Sequence, residues 1–341
     1  MDETIYIITG ITGYVGNVIA KRLLEENKHV IGLARSKEKV RKVFKKDYEN
    51  LEIVYGDIRS KEDIAKLFKY ENKKYVVIHL VAYVTIGEGD KETLYSITLG
   101  GTKNIVDESL KHDVIKFINI SSTEAIEKDK KSNKDFASYY VDETKLKEGY
   151  SRAKACADKY ILDAYKNYGL NATILFLSGV IGPYDYSSSH LTQMFIDYYQ
   201  NHLIASCKGG YSVIDVRDIA SIILNVVSKG EKGKGYIISN RYVSITEMLE
   251  IVREKYHKKK IVTIPLFIAY IGLPFIHIYY KIIKKRPLYT LKSLETIKEK
   301  TDFIIEDAKN TFDFKPRDIK ESILDEIDFL LEEGYVRWKR P

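Results

Sequence analysis

Tyr150 and Lys154 stand four positions apart in "EGYSRAKACADKY", a spacing that puts two side chains one turn apart on a helix. A phenol and an ammonium so placed can handle a proton. A tyrosine hydroxyl ordinarily titrates at about 10, too high for efficient transfer near neutral pH, and a nearby positive charge favours the phenolate. Spacing alone decides nothing, because the pair recurs five times, at Tyr70, Tyr150, Tyr256, Tyr280 and Tyr335, in a chain rich in both residues. The surroundings must single one of them out.

A second stretch with chemical meaning is "TGITGYVG", residues 9–16. It follows a β-rich run, Thr4–Thr9, and leads into 14–26, where Val15, Val18, Ile19, Leu23 and Leu24 share one helical face. In that place Gly10 permits a tight turn, Gly13 lets the backbone approach a pyrophosphate, and Gly16 allows close helix–strand packing. The helix N-terminus adds free N–H groups and a favourable dipole for the anion. Glycines alone would mark a tight βα turn; their position between strand and helix favours anion binding.

The elements that must position these groups alternate. Residues 30–34, 51–55, 75–80, 114–120 and 172–177 read as buried strands, with helical patterns at 61–70, 94–112 and 149–168. Repeated strand–helix units predict an α/β fold, a doubly wound parallel sheet with a smaller, mixed α/β C-terminal lobe. Residues 1–178 and 211–235 are expected to form the nucleotide-binding lobe, 179–210 and 236–315 the substrate lobe, and 316–341 a terminal helix and tail. Within these, 215–229 and 245–256 read as helices, 236–239 as a strand, 319–333 as an amphipathic helix and 127–135 as an exposed loop.

The TGxxGxxG spacing resembles the extended short-chain dehydrogenase/reductase family, and the likeness extends over nearly the whole chain. "YGDIRS" resembles the family's third-strand end, "HLVA" the segment after the fourth strand, "GGTKNIV" its "xGTxNxL" helix, "NISSTEA" the serine end of strand five, and "SGVIGP" the exit of strand six. "GYSRAKACAD" then supplies the family's Tyr and Lys, so Tyr150 alone of the five tyrosines has the right setting.

The resemblance implies a Rossmann-type sheet and an NAD(P)-dependent oxidoreductase. It assigns Tyr150 as acid/base, Lys154 as the group that lowers its pKa and holds the nicotinamide ribose, and Ser122 as the hydrogen-bond donor to the reacting oxygen. Ser121 reads as a capping or turn residue, and Thr123 is an alternative to Ser122 as that donor. Gly10, Thr12, Gly13, Tyr14, Val15 and Gly16 would hold the pyrophosphate, Asp57 and Ile58 the adenine, and Leu80, Val81 and Ala82 would pass beneath the cofactor. Strand two ends in Ala34 and Arg35 where NAD-binding members place an acid. Arg35 and Lys42 match the phosphate-contacting positions of the dihydroflavonol-reductase subgroup, which implies NADP, with NAD as the alternative.

The chain departs from its relatives at Phe176 and Leu177 (often Arg-Pro), at Thr98 (often Asn), and in lacking both an Asn before Gly182-Pro183 and the Asp of a sugar-dehydratase "TDE". These departures point to a mainly apolar carbonyl or alcohol, in the manner of dihydroflavonol reductases and 3β-hydroxysteroid dehydrogenases. A nucleotide-sugar 4-epimerase or dehydratase with tightly bound NAD, and a non-catalytic dinucleotide sensor, are the rivals.

The 341 residues carry a net charge of +7 spread along the chain, unlike the stripe expected of a nucleic-acid binder. Two cysteines, Cys156 and Cys207, have no metal-type or disulfide spacing, and no signal peptide precedes the first strand; a cytoplasmic protein without metal is expected. Residues 261–287 are strongly apolar, interrupted by Pro265, Gly272 and Pro274. They read as two short helices meeting at Gly272–Pro274, either a lid over the substrate or, through 264–285, a peripheral membrane contact. The family likeness also implies a homodimer formed through helices of the nucleotide-binding lobe.

Overall fold

A computed structural model of the chain describes residues 4–83, 90–127, 143–147, 149–203, 205–282, 290–298 and 300–337. The expected loop at 127–135, apart from Glu127, and the basic run after Ile282 lie outside the described residues.

The first half runs β1 Thr4–Thr9, α1 Tyr14–Glu25, β2 His29–Ala34, α2 Lys37–Val43, β3 Leu51–Tyr55, α3 Lys61–Ala65, β4 Lys74–His79, α4 Lys91–Tyr95, α5 Gly101–Ser109, β5 Val114–Ser122, α6 Tyr150–Tyr168 and β6 Ala172–Leu177. There follow β7 Gly179–Ile181, α7 His190–Tyr199, β8 Ala205–Cys207, β9 Gly210–Asp215, α8 Val216–Lys229, β10 Lys234–Ile238 and β11 Tyr242–Ser244. The chain closes with α9 Ile245–Tyr256, β12 Val262–Ile264, α10 Leu266–Ile282, α11 Leu291–Lys298, α12 Glu306–Phe312 and α13 Ile319–Glu332.

Seven parallel strands form one sheet in the order β10-β6-β5-β4-β1-β2-β3. Helices cover both faces of the sheet, which explains why the middle of these runs is largely apolar. Ile5 and Ile7 of β1 pack with Ile64 of α3, Ile105 of α5 and Ile161 of α6. Tyr6 and Ile8, pointing to the other face, pack with Ile19 of α1, Ile219 of α8 and Phe312 of α12. A separate core joins α7, α9, α10 and α13 through Phe195, Met248, Leu273 and Ile323.

Two expected elements take another form. The helix expected at 94–112 is α4, a π-helical turn at Ser96–Gly100 and α5, with the widened turn at the Gly100–Gly101 pair. The two helices expected to meet at Gly272–Pro274 are one helix, α10, with Pro274 inside it. Pro274 lacks the N–H that would donate to the Tyr270 carbonyl, a loss of about 3 kcal/mol in a helix interior. Burial of Ala269 and Leu273 against the second core holds the chain helical across it.

Candidate active site

The glycine turn is built as the spacing requires. Gly10 has φ +77°, the left-handed region, and its carbonyl accepts the Gly13 N–H at 2.9 Å. A Cβ on Gly16 would lie 2.3 Å from the Gly10 oxygen, so no larger residue fits there without breaking the turn. Asn17 Nδ2 donates back to the Gly13 and Tyr14 carbonyls at 2.9 and 2.7 Å, and Tyr14 Oη donates to the Gly182 carbonyl at 2.5 Å. The Leu80 N–H donates to the Thr9 carbonyl at 3.3 Å, and the Leu80–Val81 backbone lies against Gly10. Gly10, Thr12, Gly13, Tyr14, Val15, Gly16, Leu80, Val81 and Ala82 therefore gather at the ends of β1 and β4, none of them fully exposed. A cradle that only glycine backbone can line fits a dinucleotide pyrophosphate.

The residues expected on the adenosine side divide. Arg35 is exposed at the end of β2, and its charge helps hold the Asp57 carboxyl down. Asp57 is lowered to about 2, first by Arg59, whose Nε and Nη2 donate to its two oxygens at 2.9 and 2.7 Å. Ile58 is buried beneath Gly101, and its carbonyl accepts Asn104 Nδ2 at 3.0 Å. Lys42 is not held beside Arg35: its Nζ donates to the Tyr186 carbonyl at 3.1 Å and lies 5.0 Å from the Tyr335 ring centre. The helix α2 turns that side chain toward the C-terminal part of the chain, which has no signal in the local sequence.

Ser122 ends β5 and Tyr150 opens α6, and the structure brings them together. The Ser122 hydroxyl hydrogen-bonds the Tyr150 oxygen and accepts the Glu124 N–H at 3.2 Å. The Tyr150 pKa lies above its ordinary value, through burial first, then the Glu124 carboxylate, with Ser122 pulling it back. Lys154 is buried on the next turn, and its Nζ donates to the Ile120 carbonyl at 2.9 Å. Burial lowers its pKa, and Asp158 one turn further on opposes that. The charges acting on Tyr150 here are thus the carboxylates Glu124 and Asp158, both of which raise its pKa.

Asp158 was not singled out from the sequence. Fully buried, it accepts Asn119 Nδ2 at 2.6 Å and Ser121 Oγ at 2.5 Å, and burial raises its pKa to about 6. Its place four residues after Lys154 was the available signal. Ser121 accordingly is a fixed buried donor and not a turn residue. Behind the lysine runs a buried chain of contacts: Thr9 Oγ1 to His79 Nδ1 at 2.7 Å, His79 Nε2 to Thr102 Oγ1 at 2.9 Å, and Thr102 Oγ1 to the Thr98 carbonyl at 2.6 Å. Burial, then the Lys154 charge, depresses His79 to about 3, so it is neutral at ordinary pH.

A cavity of about 180 Å³ opens beside Ser122. Its wall includes Glu124, the rings of Tyr211 and Phe303, and six serines and threonines, reaching to Thr296 of α11 and Thr301. The expected apolar surroundings are present in part: apolar atoms make up most of this inner surface, and hydroxyl groups are set among them. Nothing local marks Tyr211, Thr296 or Phe303, which meet Ser122 only through tertiary folding.

Residues 6–240 match the model of the "NAD dependent epimerase/dehydratase family". The chain is 26% identical over 251 residues to sterol demethylase protein B of Methylococcus capsulatus, covering 73% of each chain. It is 23% identical over 346 residues to a putative dihydroflavonol 4-reductase of Synechocystis, covering 97% of this chain and 96% of that one. Its fold superposes on the UDP-glucose 4-epimerase of Thermotoga maritima with a TM-score of 0.73 at 18% identity, covering 96% and 99% of the two chains. With the family match spanning well over half of its length, the chain belongs to the NAD-dependent epimerase/dehydratase family and is an NAD(P)-dependent enzyme with the extended short-chain dehydrogenase/reductase fold.

Proposed function

We propose that the protein is an NADP-dependent oxidoreductase that interconverts a secondary alcohol and a ketone, or an aldehyde, on a small molecule with an apolar body and a polar reacting end. The observation that carries this reading is the Ser122–Tyr150 hydrogen bond with Lys154 one turn behind it. Gly10, Gly13 and Gly16 would hold the pyrophosphate, and Arg35, with no acid beside it at Ala34, would take a ribose 2′-phosphate as a fork. When bound, the nicotinamide supplies or accepts the hydride.

In reduction Tyr150 gives its proton to the carbonyl oxygen, and Ser122 donates a hydrogen bond to the same atom. With its pKa held up, Tyr150 carries the proton that reduction consumes, and a pKa nearer neutral would let it pass on that proton faster. Lys154 is held by the Ile120 carbonyl one turn from Tyr150, and Asp158 favours its charged form against the burial that opposes it. The relatives named as a sterol demethylase protein and a dihydroflavonol reductase support an apolar body for the substrate, and the cavity wall supports a polar end.

A second reading is favoured by that same wall: a hydroxyl-rich cavity with Glu124 also suits a sugar, as in an epimerase or dehydratase with retained NAD. Oxidation of NADPH and NADH is to be followed against a panel of ketones and aldehydes, with wild type and Tyr150→Phe. Net NADPH oxidation that drops by about 100-fold or more in the variant, with cofactor affinity kept, is the expected result. NAD retained through purification without consumption of added NADPH points to the second reading, and unchanged turnover in Tyr150→Phe sinks both.

A further inference from the structure

The helix α10 has two unlike sides. Ala269 and Leu273 are buried in the second core, and α11 packs against the helix. The side away from that core carries Phe267, Ile271 and Ile278, which are 64%, 69% and 58% exposed, and Ile282 at the end of the helix, 73% exposed. Pro274 is exposed in the same row, and Val262 of the preceding strand is 70% exposed. At a rise of about 1.5 Å per residue, the row from Phe267 to Ile282 makes a strip about 22 Å long. Large apolar side chains aligned in this way on an outer surface mark a contact site, whereas scattered ones need no explanation.

Charge identifies the partner. Between Lys255 and Leu294 the sequence has nine lysines and arginines and no aspartate or glutamate. Of these, Lys259 and Lys260 stand exposed just before β12. A second copy of the chain docking on this face through a two-fold axis would bring basic stretches together with no acid in them to meet the charge. A surface of anionic phospholipid meets both halves, apolar chains for the strip and phosphate or carboxylate groups for the lysines. Among the described residues no helix is long and apolar enough to cross a membrane, so the contact lies along the interface.

We propose that α10 seats the enzyme on anionic membranes, its strip of Phe267, Ile271, Pro274, Ile278 and Ile282 lying at the boundary of headgroups and acyl chains. The contact places the cavity wall close to lipid, because α11 packs on α10 and supplies Thr296 to that wall.

The test is flotation of the full chain with phosphatidylcholine vesicles, with and without about one-third phosphatidylserine. The protein is expected to float with the anionic vesicles and to be released by about 0.5 M salt. Two variants separate the contributions. The triple change Phe267→Ser, Ile271→Ser and Ile278→Ser, and independently Lys259→Glu with Lys260→Glu, are each expected to weaken partition by about tenfold or more while NADPH binding is retained. Failure of the wild type to float with anionic vesicles overturns the proposal, as does undiminished binding by both variants. A dimer in solution that the serine variant dissociates, without vesicle binding by the wild type, would assign the face to a second copy instead.

Discussion

The glycine turn and the cavity beside Ser122 lie in one protein but are specified in opposite ways. The turn occupies eight consecutive residues, and its shape follows from backbone: a left-handed Gly10 and a Gly16 whose missing Cβ leaves room for the Gly10 oxygen. The cavity draws on Ser122, Ser178, Tyr211 and Thr296, which are far apart in the chain. Its character lies in side chains, namely hydroxyls, one carboxylate and two rings. A change in the turn should therefore act as an all-or-none fault, and a change near the cavity as an adjustment. That contrast can be broken experimentally.

The largest effect is expected from Gly16→Ala. The added methyl would stand 2.3 Å from the Gly10 oxygen, and backbone cannot move aside as a flexible side chain can. Overpacking of this kind typically costs about 1–3 kcal/mol in stability. The displaced turn should also lose dinucleotide affinity by about 100-fold or more, since the pyrophosphate contacts are backbone N–H groups. Calorimetric titration with NADPH and a melting curve measure the two separately. Unchanged affinity would mean that the cofactor does not bind on this turn.

Next in size is Arg35→Ala. A charge-assisted hydrogen bond contributes about 1.5–3 kcal/mol, so the preference for NADPH over NADH should fall by about 10- to 100-fold while the kcat/KM for NADH stays constant. Lys42→Ala sharpens the comparison. Its ammonium is engaged by the Tyr186 carbonyl and the Tyr335 ring, so cofactor preference should not change. A larger shift for Lys42 than for Arg35 would restore the pairing expected from sequence.

What could be read from the sequence follows the same division. The strands, the turn and the Tyr150–Lys154 pair were legible because each is set by residues within a few positions: alternation, glycine, one helical turn. The direction of Lys42 was not, since α2 places it according to what packs above it. The continuity of α10 through Pro274 was not, because the local penalty is outweighed by burial of Ala269 and Leu273 in a core assembled from α7, α9 and α13. Asp158 stands between these cases. Its spacing from Lys154 was visible, but its burial with Asn119 and Ser121 required the strand β5 to be in place.

A buried carboxyl in the C-terminal part gives a smaller, pH-dependent effect. Glu326 of α13 accepts the Gly182 N–H at 2.9 Å and Thr192 Oγ1 at 2.7 Å, and burial raises its pKa from 4.5 to about 8. A carboxyl whose folded pKa is raised holds its proton more tightly when folded, so its contribution to stability is full below pH 4.5 and is lost as pH rises toward 8. Glu326→Gln carries no proton to lose. Its melting temperature relative to wild type should therefore rise between pH 5 and pH 8, by an amount on the order of a few kcal/mol in stability at most. A difference that is the same at both pH values would show that the Glu326 charge is not the cause.

The smallest effect is expected where the cavity meets the chemistry. Burial and then the Glu124 carboxylate hold the Tyr150 pKa up, while the Ser122 hydroxyl pulls it down. Removing the negative charge in Glu124→Gln leaves the shape nearly unchanged and must lower that pKa. Alcohol oxidation needs the phenolate, so its kcat/KM rises with pH until Tyr150 ionises. The variant should move that limb to lower pH and so raise the oxidation rate at a fixed pH below it. Carbonyl reduction uses the phenol and should be unaffected near neutral pH. The two pH profiles, measured on one substrate pair, distinguish an adjustment of Tyr150 from a loss of substrate binding, which would lower both directions at every pH. A limb that moves upward would mean that Glu124 acts on another group, and the cavity would then tune something other than the proton on Tyr150.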